Sequence, residues 1–173
     1  MMKIEVIVGN IVAQPDVEAV VNSANANLRL GSGVAGAIHT AAGPALEEFC
    51  KPFAPIELGA ALITPGFNLP NPWVIHVRSA HYILNAEPER YMAFAMLSLL
   101  NVARENGIKS LAMPAIGTGV FKFPPMLAAR ITAHALHEFA KNSDAIDLVR
   151  ICVVNDEIKQ LYESAVLLND VAQ

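Results

Sequence analysis

The chain carries Gly31-Ser32-Gly33-Val34 and, further on, Gly117-Thr118-Gly119-Val120, and each of these glycine-bearing loops follows an apolar, strand-like run and opens onto a helix-like stretch. Few lysines or arginines lie near either loop. Backbone N–H groups at the start of a helix, supported by the helix dipole, bind phosphate without a cationic side chain. Glycine also lets the backbone approach a ligand closely. Two such loops predict a ligand that carries a diphosphate.

Short apolar runs alternate along the chain with helix-like segments, which predicts an α/β fold with a mainly parallel sheet and helices on both faces. The connection between residues 63 and 73 is too short for a crossover helix, so the strands on either side of it are expected to pair antiparallel and to make the sheet mixed. The predicted strands are 4–8, 19–21, 60–63, 73–77, 110–113 and 148–154, and the predicted helices are 34–42, 44–53, 88–106, 125–141 and 157–168.

Two of the predicted helices differ in how apolar residues are distributed around them. Segment 157–168 has an apolar stripe at helical spacing, which predicts a helix on the surface. Segment 92–103 is apolar almost all round, which predicts a deeply buried helix.

Length and composition limit the classes of protein to consider. The 173 residues fit a single domain over 1–173, and the 54% hydrophobic content against 16% charged residues excludes a disordered chain. A net charge of −4 gives no basic field, so binding to duplex nucleic acid is not expected. The chain begins directly with a predicted strand and has no run long enough to span a bilayer. We therefore expect a cytoplasmic protein, with a monomer favoured and no membrane partner.

The cysteines and histidines give no support for a metal site. Cys50 and Cys152 lie in apolar surroundings without paired spacing and are interpreted as buried free thiols. His134 and His137 are three residues apart on one predicted helix and are assigned to its surface, because a metal would need further ligands. Neither a metal nor a cofactor is predicted.

Gly31, Gly33 and Gly36 satisfy the G-x-G-x-x-G pattern, which is typical of nicotinamide-dependent oxidoreductases. In that fold the first glycine follows the strand at once, whereas here residues 23–30 intervene. The acidic residue expected at the end of the next strand is also missing. The context therefore disfavours a dinucleotide-binding oxidoreductase.

The intervening segment places two carboxamides, Asn22 and Asn25, at the carboxyl end of a predicted strand, where α/β folds bind ligands. Each amide can donate and accept hydrogen bonds. For Asn22 a role in the turn and a role in ligand binding both stay open. Asn25 is assigned to the ligand.

Four segments follow one another along nearly the whole chain, and together they resemble the motifs of the macrodomain family. Members of that family bind ADP-ribose and in many cases hydrolyse ADP-ribosyl bonds. One such match is weak, but four in this order are highly specific. The segments are Gly9-Asn10-Ile11-Val12, similar to Gly-Asp-Ile-Thr; Asn22-Ser23-Ala24-Asn25, similar to Asn-Ala-Ala-Asn; Gly31-Ser32-Gly33-Val34-Ala35-Gly36-Ala37-Ile38-His39, similar to the first phosphate loop; and Pro114-Ala115-Ile116-Gly117-Thr118-Gly119-Val120-Phe121, similar to the second.

The resemblance implies a three-layer α/β/α sandwich on a six-stranded, mostly parallel mixed sheet. It also implies that both loops wrap the diphosphate through backbone amides, that Asn25 and Phe121 contact the distal ribose, and that Asn10 and Ile11 meet the adenine. For Phe121 a place in the core beside Phe123 is the alternative. The candidate ligand-binding residues are Asn10, Ile11, Asn22, Asn25, Gly31, Ser32, Gly33, Val34, Ala35, Ile116, Gly117, Thr118, Gly119, Val120, Phe121 and Asn155.

Three of the chain's departures from the family's pattern bear on the adenine and on catalysis. Asn10 replaces the aspartate that contacts adenine, which removes charge assistance from that hydrogen bond. Asn155 stands where many relatives place an aromatic residue against the adenine. Ala35 stands where a large subgroup of hydrolases carries an aspartate that helps to activate water. Viral macrodomains resemble this chain in having Val-Ala-Gly at that place and still remove ADP-ribose, which implies that the substrate phosphate and Asn25, the candidate catalytic residue, position the water.

The sequence thus leads to a hypothesis with two alternatives. The hypothesis is an ADP-ribose-binding macrodomain that weakly hydrolyses ADP-ribosyl esters, either on mono-ADP-ribosylated protein or in O-acetyl-ADP-ribose. The first alternative, motivated by Ala35, is a non-catalytic module that binds ADP-ribose or an ADP-ribosylated macromolecule. The second, motivated by Asn10 and Asn155, is a binder of a different diphosphate nucleotide.

Overall fold

A computed structural model of the chain describes residues 1–171 and shows six strands and five α-helices in that range. Their bounds agree with the sequence-based strands and helices to within a few residues. The elements are β1 (Lys3–Val8), β2 (Ala19–Ser23), α1 (Gly33–Ala42), α2 (Pro44–Cys50) with a 3₁₀ turn (Lys51–Phe53), β3 (Ala61–Pro65), β4 (Trp73–Val77), α3 (Pro88–Glu105), β5 (Ser110–Pro114), α4 (Pro125–Asn142), β6 (Leu148–Val153) and α5 (Asp156–Val171).

The six strands form one sheet in the order β1-β6-β5-β2-β4-β3. All neighbours are parallel except β3 and β4, which pair antiparallel as the short connection between them predicted. The carboxyl ends of β1, β6, β5 and β2 therefore lie side by side at one edge of the sheet. In an α/β fold this edge is where ligands bind.

Strand β2 shows how the sheet separates two cores. Val20 packs into the cluster beneath α1 and α2, together with Ile38 and Leu46. The next residue, Val21, points to the opposite face and packs with residues of α3, α4 and α5 such as Met96 and Leu136. Because successive strand residues face opposite ways, an unbroken apolar run is what a strand covered on both faces requires. The fold is the predicted three-layer α/β/α sandwich.

The prediction that helix 92–103 is deeply buried was wrong for half of its circumference. Met92, Met96 and Leu99 are fully buried, but Phe94 is 55% exposed and Leu97 is 48% exposed. In a three-layer sandwich an outer helix has a covered face and a solvent face, so an apolar composition alone does not bury it. No helix within residues 1–171 is long and apolar enough to cross a membrane.

The two thiols are buried and free, as predicted. The assignment of His137 to the helix surface was wrong, because its ring is buried between α4 and α5 with Nε2 3.2 Å from the carbonyl oxygen of Val166. His134, one turn earlier, is exposed.

Candidate functional site

A cleft with a volume of about 600 Å³ lies across the carboxyl ends of β1, β6, β5 and β2. A volume of this size is typical of a small-molecule site. The wall is built by the loops that follow these strands and by the first turns of α1 and α5. The residues that line it are Gly9, Asn10, Ile11, Ser23, Ser32, Gly33, Val34, Ala37, Pro114, Ala115, Gly117, Thr118, Gly119, Val120, Phe121, Pro125, Cys152, Val153, Val154, Asn155 and Ile158.

The first loop, residues 31–34, leads into the amino terminus of α1. Ser32 is the N-cap residue, but its side chain makes no capping hydrogen bond. Gly33 has a φ of +60°, in the left-handed region that favours glycine. The N–H groups of the first helical turn have no intrahelical acceptor. They are therefore free to bind an anion in the cleft, with the helix dipole in their favour.

The second loop, residues 117–120, is held by hydrogen bonds that turn its carbonyl groups back toward the protein. The amide of Phe123 donates to Gly117 O at 2.8 Å, and that of Lys122 donates to Gly119 O at 3.1 Å. Within residues 1–171 the amides of Gly119, Val120 and Phe121 donate to no protein acceptor. Both glycine loops thus present unpaired backbone donors to one cleft.

Charge is absent from the described lining of this cleft. None of the lining residues within 1–171 is Lys, Arg, Asp, Glu or His. The one titratable side chain is the thiol of Cys152, and burial raises its pKa to about 11, so it is neutral at physiological pH. Within the same residues, no three His, Cys, Asp or Glu side chains cluster as metal ligands would. The cleft can hold an anion through backbone dipoles, but it offers no side-chain general base.

Phe121 lies at the end of the second loop and lines the cleft, whereas its neighbour Phe123 is 2% exposed and belongs to the core. The Phe121 carbonyl accepts a hydrogen bond from the Tyr82 amide at 2.7 Å. Its ring meets that of His81 edge to face, with centroids 6.5 Å apart. The geometry therefore favours a role for Phe121 in contacting the ligand over a place in the hydrophobic core, which was the alternative that the sequence left open.

Asn10 and Asn155 line the opposite end of the cleft, beside β1 and β6. The side-chain oxygen of Asn10 accepts from the Val12 amide at 3.1 Å, which forms a tight turn. The oxygen of Asn155 accepts from the Ile158 amide at 2.9 Å and caps α5. Each carboxamide has its oxygen engaged by local backbone.

Asn22 does not reach the cleft. It is buried in β2, and its amide nitrogen lies 3.0 Å from Nδ1 of His76 on β4. The other ring nitrogen of His76 lies 3.0 Å from the Thr64 hydroxyl, and burial, together with the neighbouring His39, lowers the pKa of His76 to about 3. Asn22 therefore links two strands beneath the site, so that neither the turn nor the ligand role describes its side chain.

Asn25 stands beside the first loop but outside the lining of the cleft. Its amide closes a local turn, accepting from the Arg29 amide at 3.0 Å and donating to the Arg29 carbonyl at 2.7 Å. A Cβ added at Gly31 would come 3.2 Å from its Nδ2. Gly31, Ala35 and Ile116 likewise lie outside the lining. The other predicted residues, apart from Asn22, all come together in the cleft.

Sequence reasoning missed several lining residues, most of which carry no polar side chain. Their signal was positional, since they lie at the carboxyl end of a parallel strand, in the loop that follows it, or on the next helix. They are Gly9, Ser23, Ala37, Pro114, Ala115, Pro125, Cys152, Val153, Val154 and Ile158.

Proteins that are similar in sequence to this chain include two whose names refer to ADP-ribose. An O-acetyl-ADP-ribose deacetylase of Enterobacter sp. is 39% identical over 93% of this chain and 92% of its own. The bovine ADP-ribose glycohydrolase MACROD1 is 38% identical over 85% of this chain and 46% of its own.

Solved structures agree with the sequence relatives. An Oceanobacillus iheyensis macrodomain with ADP superposes with a TM-score of 0.92 at 28% identity, covering 98% of this chain and 93% of that one. A Trypanosoma brucei macrodomain in complex with ADP-ribose gives a TM-score of 0.88 at 29% identity, covering 94% and 68%. The Macro domain model matches residues 21–132, which include both glycine loops. The chain therefore belongs to the Macro domain family.

Proposed function

We propose that the protein binds ADP-ribose in this cleft, with the diphosphate on the two glycine loops. The observation that carries the proposal is the set of unpaired amides at Gly33, Gly119 and Val120 around a cleft without charged side chains. Such donors suit phosphate oxygens that are shared between two loops. The solved macrodomain with bound ADP-ribose supports the choice of ligand.

We further propose that the protein slowly hydrolyses ADP-ribosyl esters to ADP-ribose and the free acid. No carboxylate or imidazole lines the described cleft, and Ala35 has only a methyl group. The attacking water must therefore lose its proton to a phosphate oxygen of the substrate, with Asn25 orienting the water. A positioned side-chain general base contributes about 10²- to 10⁴-fold to a rate, so turnover that relies on the substrate phosphate in its place is slow. The relatives named as a deacetylase and a glycohydrolase support this chemistry.

Two observations favour a second candidate, a module that binds ADP-ribose without turnover. The Asn25 amide is already engaged with Arg29, and Ala35 cannot accept a proton. In that case the cleft recognises an ADP-ribosylated macromolecule and leaves the bond intact.

Calorimetry and a hydrolysis assay separate these functions. Titration with ADP-ribose, ADP, NAD and oligo-adenylate identifies the ligand, and tighter binding of any of the last three than of ADP-ribose would contradict the proposed ligand. Hydrolysis is then followed on O-acetyl-ADP-ribose and on a protein mono-ADP-ribosylated at acidic residues. Release that is faster than in an Asn25→Ala variant is expected. Release equal to that variant would leave only the binding module.

A further inference from the structure

Gly9, Asn10 and Ile11 line the cleft beside β1, and the side chain of Gln14 contacts this segment without lining the cleft itself. Gln14 is buried, and its Nε2 donates to the Asn10 carbonyl at 2.9 Å. A Cβ at Gly9 would lie 3.4 Å from that nitrogen. The same Asn10 carbonyl also accepts from the Ala13 amide at 3.0 Å. Gln14 thus fixes the Asn10 carbonyl from the side opposite the cleft.

Arg150 of β6 fixes Gln14 in turn. Its Nη1 donates to Gln14 Oε1 at 3.1 Å, and the guanidinium also makes a two-pronged pair with Asp16, both contacts at 2.7 Å. Nε donates to Glu5 at 2.8 Å. The Arg150 side chain is 13% exposed and Gln14 is buried, whereas the Asp16 side chain is 59% exposed. A guanidinium only donates and a carbonyl only accepts, so the Gln14 amide has a single orientation that satisfies both of its ends.

Because the peptide group is planar, the direction of the Asn10 carbonyl also fixes the direction of the Ile11 N–H. In a trans peptide the carbonyl of one residue and the N–H of the next point in opposite directions. Because the Asn10 carbonyl faces Gln14, the Ile11 N–H faces away from Gln14, on the side of the cleft. Within residues 1–171 the Ile11 amide donates to no protein acceptor. Its direction is therefore set jointly by the turn that the Ala13 amide closes and by the Gln14 side chain, which does not line the cleft.

We propose that Gln14, held by Arg150, is a positioning residue that aims the Asn10–Ile11 peptide at the base of the bound nucleotide. The inference rests on the proposed function, because it assumes that ADP-ribose lies in the cleft with its diphosphate on the glycine loops. The base then reaches the β1 and β6 end, where Asn10 and Asn155 stand. Arg150 acts here as the anchor of Gln14 and not as a ligand contact.

The test compares Gln14→Glu with the wild-type protein. The glutamate keeps an acceptor for Arg150 but cannot donate to the Asn10 carbonyl while ionised. Gln14→Leu removes the donor without a charge and replaces the first variant if that one does not fold. Lys141→Met, which removes an exposed ion pair with Glu138 on α4, is the matched control. Each protein is titrated with ADP-ribose, and amide hydrogen exchange is recorded free and at saturation.

We expect the Kd of ADP-ribose to rise about five- to tenfold in either Gln14 variant, the range of one lost hydrogen bond. Protection of the Ile11 amide by ADP-ribose should be lost, while protection of the Val120 amide in the second loop is kept. A uniform loss of protection at both amides, or a Kd within twofold of wild type, would overturn the inference. If the wild-type protein does not bind ADP-ribose at all, the proposed function fails, and the inference fails with it.

Discussion

Gly119 is the residue at which a single side chain tests the second loop most directly. It is exposed, and a Cβ built on it meets no atom within 4 Å. A glutamate can therefore be placed there without disturbing the fold, but its carboxylate would enter the space proposed for the diphosphate. We predict that Gly119→Glu reduces ADP-ribose affinity at least about 100-fold through like-charge repulsion in a cleft without cations. Calorimetry measures this loss.

Gly119→Ala is the matched control, because it adds a methyl group to the same open space and no charge. Its affinity should remain within a few fold of wild type. If a folded Gly119→Glu protein bound ADP-ribose normally, the assignment of the second loop to the diphosphate would be wrong.

Gly36 of α1 packs closely against the backbone of the first loop at Gly31. A Cβ added there would overlap the carbonyl oxygen of Gly31, and that atom belongs to the backbone and cannot rotate away. We predict that Gly36→Ala displaces the first loop, lowers the free energy of unfolding by about 1–3 kcal/mol as overpacking does, and weakens ADP-ribose binding more than tenfold. Urea denaturation and calorimetry test both effects. An unchanged affinity would show that the first loop does not contact the ligand.

At the residue scale, the two glycine loops could be located from the sequence because strand, glycine and helix follow one another within about ten residues, and both loops line one cleft. Their contact with a diphosphate stays a prediction. The role of Asn22 could not be predicted, because its hydrogen-bond partner His76 lies 54 residues away in the sequence. Gln14 is a further case, because its anchor Arg150 is 136 residues distant and no local pattern marks the pair.

At the scale of elements, sequence periodicity predicted the position of every strand and α-helix in the described chain. It did not predict how much of each element's surface is buried by its neighbours. Strands were predictable because a sheet covered on both faces demands unbroken apolar runs. The 44–53 helix ends as α2 at Cys50 and tightens into a 3₁₀ turn at Pro52, a residue that lacks the N–H needed to continue. The exposure of Phe94 on α3 depends on which elements pack beside it, and that information is not local.

The residue that caps the amino terminus of α5 also lines the cleft. Asn155 caps the helix through the Ile158 amide and also lines the site. We predict that Asn155→Ala lowers the free energy of unfolding by about 1 kcal/mol, the usual effect of losing an N-cap. Asn155→Asp keeps the cap and favours the helix dipole, so its stability should match wild type.

The same pair of variants separates stability from binding, because the aspartate adds a negative charge to the cleft. Its ADP-ribose affinity should fall although its stability does not. Urea denaturation and calorimetry on both proteins check this. Equal stability of the alanine and aspartate variants would mean that the hydrogen bond to Ile158 does not cap the helix.

At the scale of the whole molecule, the sheet separates two cores that differ in chemistry. The side facing α3, α4 and α5 is dominated by aliphatic residues and methionine. The side facing α1 and α2 encloses the polar pair His39 and His76, whose rings lie 6.2 Å apart beneath the first loop. The layer arrangement followed from the sequence, but the burial of these two histidines against each other depends on the strand order, which brings β4 next to β2.

That histidine pair makes the stability of the whole fold depend on pH. Burial lowers the pKa of both rings, that of His76 to about 3 from a normal value near 6.5. Below pH 6.5 the unfolded chain binds protons that the folded chain does not, so the free energy of unfolding falls as the pH falls from 6.5 toward 3. His76 alone should remove about 2 kcal/mol of stability by pH 5, at 1.36 kcal/mol per pH unit. The carboxyls paired with Arg150 act in the same direction, but at lower pH, because their pKa values are lowered from an already acidic range.

Two measurements test this pH dependence. The His76 ring should remain neutral to pH 4 in an NMR titration. Urea denaturation at pH 7.5 and pH 5 should show the predicted loss in wild type and in a His134→Gln control, and a smaller loss in His76→Gln. A His76 ring that titrates near pH 6.5 in the folded protein would contradict this prediction, because burial would then not be disfavouring the protonated form of the ring.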